Sequence, residues 1–214
     1  MTSIPSTPRN MPKTFLENDM NKKVLAATHN PDKLKELRRI LSPLGIEVTP
    51  CEDKALLASI VEDGDTFAEN ALIKARTVFK ATGVPTLADD SGLCVDALDG
   101  APGVFSARYM GEDTSYDIKD RAIIAAVNAA GDENRGAQFV CAVALVTENG
   151  EHVFNGVCEG TIGYEMRGKN GFGYDPIFVV DGITTAERTD EEKDAISHRG
   201  RALRALAEVI DDLI

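Results

Sequence analysis

The chain has 214 residues, 43% of them hydrophobic and 27% charged, a composition that fits one sizeable globular domain and excludes a disordered chain. Its 23 lysines and arginines against 35 aspartates and glutamates give a net charge of -12. That balance excludes an extended nucleic-acid polymer surface, which needs a basic face. The longest apolar run, residues 139–146, is far too short to span a bilayer, so no membrane partner is expected.

The first 21 residues are polar, contain Pro5, Pro8 and Pro12 and have no apolar leader core. They predict a disordered extension, with one compact domain over residues 22–214. Residues 22–28 read as a buried strand, and Asn30-Pro31 as a helix start with Asn30 as cap and Pro31 at the first helical position. Leu34, Leu37, Leu41 and Leu44 follow at helical spacing, and Gly45 stops the helix. The capping box Thr66-Phe67-Ala68-Glu69 opens a second helix that buries Ala68, Ala71, Leu72, Ala75 and Phe79 and ends at Gly83. A short strand, residues 86–88, then delivers Asp89-Asp90-Ser91-Gly92.

Residues 117–130 predict a helix with Ile124 and Val127 inward. Residues 138–147 and 152–158 predict a hairpin around Asn149-Gly150, a favoured two-residue turn. The last helix carries Leu203, Leu206, Ile210 and Leu213 on one stripe. Strands that alternate with helices early and pair as a hairpin late imply an α/β fold with a sheet of mixed direction. Cys51, Cys94, Cys141 and Cys158 show no C-x-x-C spacing and read as buried thiols of a reducing, cytoplasmic compartment.

Five segments have the residues for chemistry. Thr28-His29-Asn30-Pro31-Asp32-Lys33 joins a strand end to a helix start, where free N–H groups and the helix dipole favour an anion and Lys33 can reach a phosphate. The plainer reading is a capped helix with a solvated lysine. Asp89 and Asp90 alternate sides of a strand, so one can bind a hard cation while the other holds or deprotonates a water. The oxygen donors favour Mg²⁺ over Zn²⁺, and the alternative is a polar turn. Glu62-Asp63-Gly64 offers a further oxygen ligand or a solvated loop, and Lys74, one turn from Asn70, can project into a cleft.

In Asn170-Gly171-Phe172-Gly173-Tyr174-Asp175-Pro176, glycines free the backbone on both sides of an aromatic ring on which a base can stack, or which packs into the core. Ser197-His198-Arg199 opens the last helix after Lys193. Ser197 is explained as an N-cap; two large donors in the first turn, where the dipole disfavours positive charge, are not.

In this order, Thr28-x-Asn30-x-x-Lys33, Thr66-Phe67-x-Glu69-Asn70-Ala71-x-x-Lys74-Ala75, Ala88-Asp89-Asp90-Ser91-Gly92-Leu93, Gly100-Ala101-Pro102-Gly103-Val104-Phe105-Ser106-Ala107-Arg108-Tyr109, Gly171-Phe172-Gly173-Tyr174-Asp175-Pro176 and Ser197-His198-Arg199 resemble the inosine/xanthosine triphosphate pyrophosphatase family. The resemblance runs from Lys22 to the C-terminus. It implies Mg²⁺-dependent hydrolysis of ITP, dITP or XTP between the α and β phosphates, and a homodimer with a twisted central sheet, flanking helices and two lobes around a cleft. Residue by residue, it implies that Thr28, His29, Asn30, Pro31, Asp32 and Lys33 bind the triphosphate and that Glu62 and Asp90 serve the metal. Asp90 would also be the base, with Asp89 the competing candidate; Ser91 would contact substrate. Phe172, Gly173, Tyr174 and Asp175 would form the base pocket, completed by Lys193, His198 and Arg199. His29 stands where family members often have glycine.

Base choice has a physical rationale of its own. Hypoxanthine and xanthine present an acceptor oxygen at position 6, adenine a donor, and Lys193 and Arg199 are donor-only. An unpaired buried polar group costs about 1–3 kcal/mol, so adenine is disfavoured while guanine is not excluded. Two rival readings are the related septum-associated pyrophosphatase family, which acts on modified or pyrimidine triphosphates and would carry serine- and arginine-rich phosphate turns, and a nucleotide-sensing module without turnover, which would be expected to lack the carboxylates present here at Glu62, Asp89 and Asp90.

Overall fold

The computed structural model describes residues 22–131 and 134–214, so the expected N-terminal extension lies outside the described residues. Strands β1 (Lys22–Ala26), β2 (Ile46–Pro50), β3 (Thr86–Val95), β4 (Gly136–Thr147), β5 (Gly150–Ile162), β6 (Phe178–Val180) and β7 (Ile183–Thr184) form one sheet in the order β2-β1-β3-β4-β5-β6-β7. β1 runs parallel to β2 and β3, and every later neighbour is antiparallel. The chemistry of the connections explains the change of direction. Parallel neighbours need a crossover, supplied by α1 (Pro31–Leu41) and by α2 (Lys54–Ala58) with α3 (Phe67–Thr82), whereas β4 and β5 are joined by a tight turn.

The apolar run of residues 139–146 lies in β4, and it is continuous because both faces of that strand are covered. Cys141, Val143 and Leu145 pack beneath α1 and α6 (His198–Ala207), whereas Ala142, Ala144 and Val146 pack against α3. A third core, built from Leu93, Val95, Phe139 and Phe178, lies under Ile123 and Val127 of α4 (Tyr116–Ala130). The short helix α5 (Asp190–Ile196) precedes α6.

Several boundaries differ from the sequence expectation. β1 ends at Ala26, because Thr28 Oγ1 accepts the Asn30 N–H at 3.1 Å and turns the chain. Pro43, which cannot continue an α-helix, ends α1 at Leu41, leaving Leu44 in a 3₁₀ turn and 51% exposed. The buried face of α3 takes in Asn70, Lys74 and Val78, with Ala68, Leu72 and Phe79 only partly buried. In α4 Ile123 rather than Ile124 is fully buried. The β4–β5 turn falls one residue earlier than expected, since Thr147 pairs with Gly150. All four cysteines are free thiols, with Cys94 half-buried and the others buried. No described helix is long and apolar enough to cross a membrane.

Two features place the site. β3 pairs with β1 only through Thr86 and Leu87 and then continues to Val95. From Asp89 to Gly92, therefore, its edge facing β1 has no strand partner among the described residues, and a cleft opens there. The short strand expected at residues 86–88 is thus a ten-residue strand with both aspartates in its interior. On the other side, α6 approaches β5 at Gly156 so closely that a Cβ there would overlap the backbone of His198 and Ala202. This contact seats the first turn of α6 beside β3.

Candidate active site

The cleft has a volume of about 700 Å³. At its β1 end Asn30 Oδ1 accepts the N–H groups of Asp32 (2.9 Å) and Lys33 (3.2 Å), which caps α1. The N–H groups expected to be free for an anion are thus already taken by the cap. Pro31 and Asp32 begin the helix, are exposed and do not line the cleft. Thr28, His29, Asn30 and Lys33 do line it, and Lys33 Nζ lies 3.2 Å from Asp89 Oδ2.

Alternation along β3 sends its two carboxylates to opposite faces. Asp89 points toward α1 and α6. Its Oδ2 accepts from Arg199 Nε (3.1 Å) and Nη2 (2.8 Å), and Arg199 Nη2 also donates to Ser91 Oγ at 2.8 Å. Burial alone would raise the Asp89 pKa, but Arg199 and Lys33 outweigh it and hold the carboxyl far below the ordinary range. Asp90 points toward α3, where Lys74 Nζ lies 3.6 Å from its Oδ1 and also contacts Glu62. Burial, helped by Glu62 and Asp89 and opposed by Lys74 and Lys33, raises the Asp90 pKa. Each carboxylate keeps one buried oxygen without a hydrogen-bond partner, Asp89 Oδ1 and Asp90 Oδ2, but they differ in charge state: Asp89 is a counter-ion locked by Arg199 and Lys33, and Asp90 is the more basic group.

Among the described residues no group of three or more His, Cys, Asp or Glu side chains is arranged to hold a metal. Glu62 and Asp90 nevertheless converge on one positive charge, the Lys74 ammonium, and Asp90 keeps a free oxygen. Mg²⁺ is commonly held by one or two carboxylates together with substrate phosphates and water, so this donor pair suits it. Asn70, buried in α3, exchanges hydrogen bonds with both backbone groups of Gly64 and so holds the Glu62 loop against the helix.

The far end of the cleft is the glycine-rich loop. Gly171 has φ +71°, and a Cβ there would overlap Asp175 Oδ2, which accepts the Phe172 N–H at 2.8 Å. Asp175 Oδ2 also accepts from Lys193 Nζ at 2.5 Å, and its Oδ1 accepts from Thr185 Oγ1 at 2.8 Å, so this residue braces the loop. Tyr174 is a wall residue: its hydroxyl donates to the Ser106 carbonyl at 2.9 Å and its ring meets Tyr116 edge-on. The Phe172 ring has Lys193 Nζ 4.8 Å and the Arg199 guanidinium 5.8 Å from its centroid, and Gly173 lines the cleft beside it.

Sequence reasoning missed Glu36. It is buried on α1 and receives Lys193 (2.9 Å) and Arg199 (2.5 Å) on its two oxygens. Burial would raise its pKa, but Arg199 and Lys193 outweigh this and hold it at about 2. A glutamate between Leu34 and Leu37 on an apolar stripe is the signal that could have found it. His198 is not the cation suggested by its place beside Arg199. Buried, with Arg199 adjacent, its pKa falls well below the usual value, and the neutral ring stacks on Phe139 at 4.8 Å.

These features define a mixed-sheet α/β protein whose cleft alternates carboxylates with cations and ends in an aromatic platform. The chain belongs to the Ham1 family, whose model matches residues 24–209. It is 49% identical over 192 residues to a dITP/XTP pyrophosphatase of Exiguobacterium sp., covering 88% of this chain and 97% of that one. A HAM1 protein structure from Coxiella burnetii superimposes with a TM-score of 0.81 at 45% identity, covering 89% of this chain and 99% of that one. A nucleoside-triphosphatase / dITP/XTP pyrophosphatase structure from Mycobacterium abscessus gives a TM-score of 0.68 at 48% identity, covering 86% and 97%.

Proposed function

We propose that the chain hydrolyses non-standard purine nucleoside triphosphates, ITP, dITP and XTP, to the monophosphate and pyrophosphate. The observation that carries this reading is the division of labour between Asp89 and Asp90. Asp90, with a raised pKa and a free oxygen beside Glu62 and Lys74, is suited to accept a proton from the attacking water. Asp89 instead fixes Lys33 and Arg199. The relatives' names carry the same substrate class, and the retained carboxylates argue against a sensing module without turnover.

In this mechanism Phe172 stacks on the purine, and the phosphates extend toward Thr28, Lys33 and Lys74. Lys193 Nζ has three N–H groups and gives two to Glu36 and Asp175, leaving one donor for a 6-oxo group. Arg199 is likewise committed to Glu36, Asp89 and Ser91 except for one Nη1–H. Because both groups are only donors, an adenine amino group meets no acceptor from them. Glu62 and Asp90 would hold Mg²⁺. When bound, that ion neutralises charge on the phosphate oxygens.

A homodimer in the cytoplasm, acting on free nucleotides rather than polymers or membranes, completes the proposal, supported by the family resemblance and the charge of -12. Pyrophosphate release with ITP, dITP, XTP, GTP, ATP and dTTP in the presence of Mg²⁺ tests it. ITP and XTP are expected to exceed ATP by at least tenfold. Orthophosphate as first product, or equal turnover of ATP, would overturn it.

A further inference from the structure

The Gly100-to-Tyr109 motif braces Tyr174 through the Ser106 carbonyl, and its Arg108 also lines the cleft. Arg108 closes a 3₁₀ stretch, Gly103–Arg108, which is pinned to β3 by Ser106, whose Oγ accepts the Leu93 N–H at 2.9 Å and donates to the Gly103 carbonyl at 2.6 Å. From this fixed base Arg108 crosses to the Glu62 loop, donating from Nη2 to the Glu62 carbonyl at 3.2 Å, with its guanidinium 5.2 Å from the Phe105 ring centroid.

Its charge distinguishes it from the other cleft cations. Lys33 pairs with Asp89, Lys74 with Glu62 and Asp90, Lys193 with Glu36 and Asp175, and Arg199 with Glu36 and Asp89. Among the described residues no carboxylate lies within ion-pair distance of Arg108. One of its five N–H donors is used on a backbone carbonyl, and four remain. A guanidinium with free donors matches phosphate oxygens in bidentate fashion. Its anchor on Glu62 puts it at the carboxylate end of the cleft, away from the Phe172 platform.

We propose that Arg108 binds the β,γ-diphosphate of the substrate, the part that leaves as pyrophosphate, and so supplies the one cleft cation not already neutralised by the protein. This rests on the pyrophosphatase reading above, so the test uses binding as well as turnover. Calorimetric titration of the full chain with inorganic pyrophosphate and Mg²⁺, and in parallel with inosine monophosphate, is compared for the parent, Arg108→Gln and Arg108→Lys. Gln keeps a donor for the Glu62 carbonyl but removes the charge.

The expected result is pyrophosphate affinity lowered at least tenfold in Arg108→Gln, largely restored in Arg108→Lys, with monophosphate affinity unchanged in both. Unchanged pyrophosphate affinity in Arg108→Gln, or equal loss for both ligands, would overturn the proposal. Absence of pyrophosphate release from ITP by the parent would overturn the pyrophosphatase reading alone.

Discussion

Glu36 and Arg199, 163 positions apart in the chain, meet at 2.5 Å between Oε2 and Nη1. The pair ties α1, which follows the Thr28–Lys33 turn, to α6, which opens with His198 and Arg199. Glu36 also holds Lys193, so one buried carboxylate orders two cleft cations.

Replacing Glu36 with Gln leaves two buried cations short of a counter-charge. Loss of a partner from a buried ionic network is strongly destabilising, and we expect a loss of roughly 2–4 kcal/mol in urea denaturation at pH 7. Because its pKa is depressed to about 2 from 4.5, Glu36 contributes stability that is present above about pH 4.5 and lost as pH falls toward 2. The acid limb of the stability profile should therefore be shallower in Glu36→Gln; an unchanged limb would exclude this linkage.

Asp90→Asn and Asp89→Asn should separate the two adjacent carboxylates. With Asp90 as the proposed base, Asp90→Asn is expected to lower pyrophosphate release from ITP by about a thousandfold with little loss of melting temperature. Asp89→Asn withdraws the counter-ion of Arg199 and Lys33, so its loss of activity should come with a clear drop in melting temperature. The reverse pattern would exchange the two roles.

Gly156→Ala should act at a distance from the chemistry. The added methyl overlaps His198 and Ala202 backbone atoms, so α6 must move, at a cost of roughly 1–3 kcal/mol for overpacking. Arg199 and Lys193 should lose register with the purine, and KM for ITP should rise more than kcat falls. A variant with parental stability and KM would show that this contact does not position α6.

Asp120, in α4, is buried with neither carboxyl oxygen hydrogen-bonded. Burial, with Asp117 and Asp175, pushes its pKa up to about 7 from 3.8. The folded state therefore keeps a proton that the unfolded chain releases, and stability should fall as pH rises from about 4 to about 7, then level off. Asp120→Asn should be nearly neutral at pH 4 and stabilising at pH 8 by roughly 1–2 kcal/mol, after allowance for solvent screening. Equal melting temperatures at pH 8 would show that Asp120 carries no such penalty.

Local signals were enough to read much of this protein. Caps, glycine stops and hydrophobic periodicity placed the helix starting at Pro31, the Thr66 capping box, the β4–β5 hairpin and the Ser197 cap, because those signals act within a few residues. Adjacent acids on a strand also implied opposite directions for Asp89 and Asp90 before any packing was known. Which acid is locked and which is basic depended on α6 and α3 arriving on opposite faces of β3, and no local pattern encodes that. The same holds for Glu36, whose two partners come from the end of the chain, for neutral His198, and for the N–H groups of Asp32 and Lys33, taken by Asn30. Long-range burial and pairing set charge states, because desolvation and counter-ions act through space. The tertiary structure thus sets Lys33, Lys74, Lys193 and Arg199 in a charge-balanced network, in which Arg108 alone, among the described cleft cations, lacks a carboxylate partner.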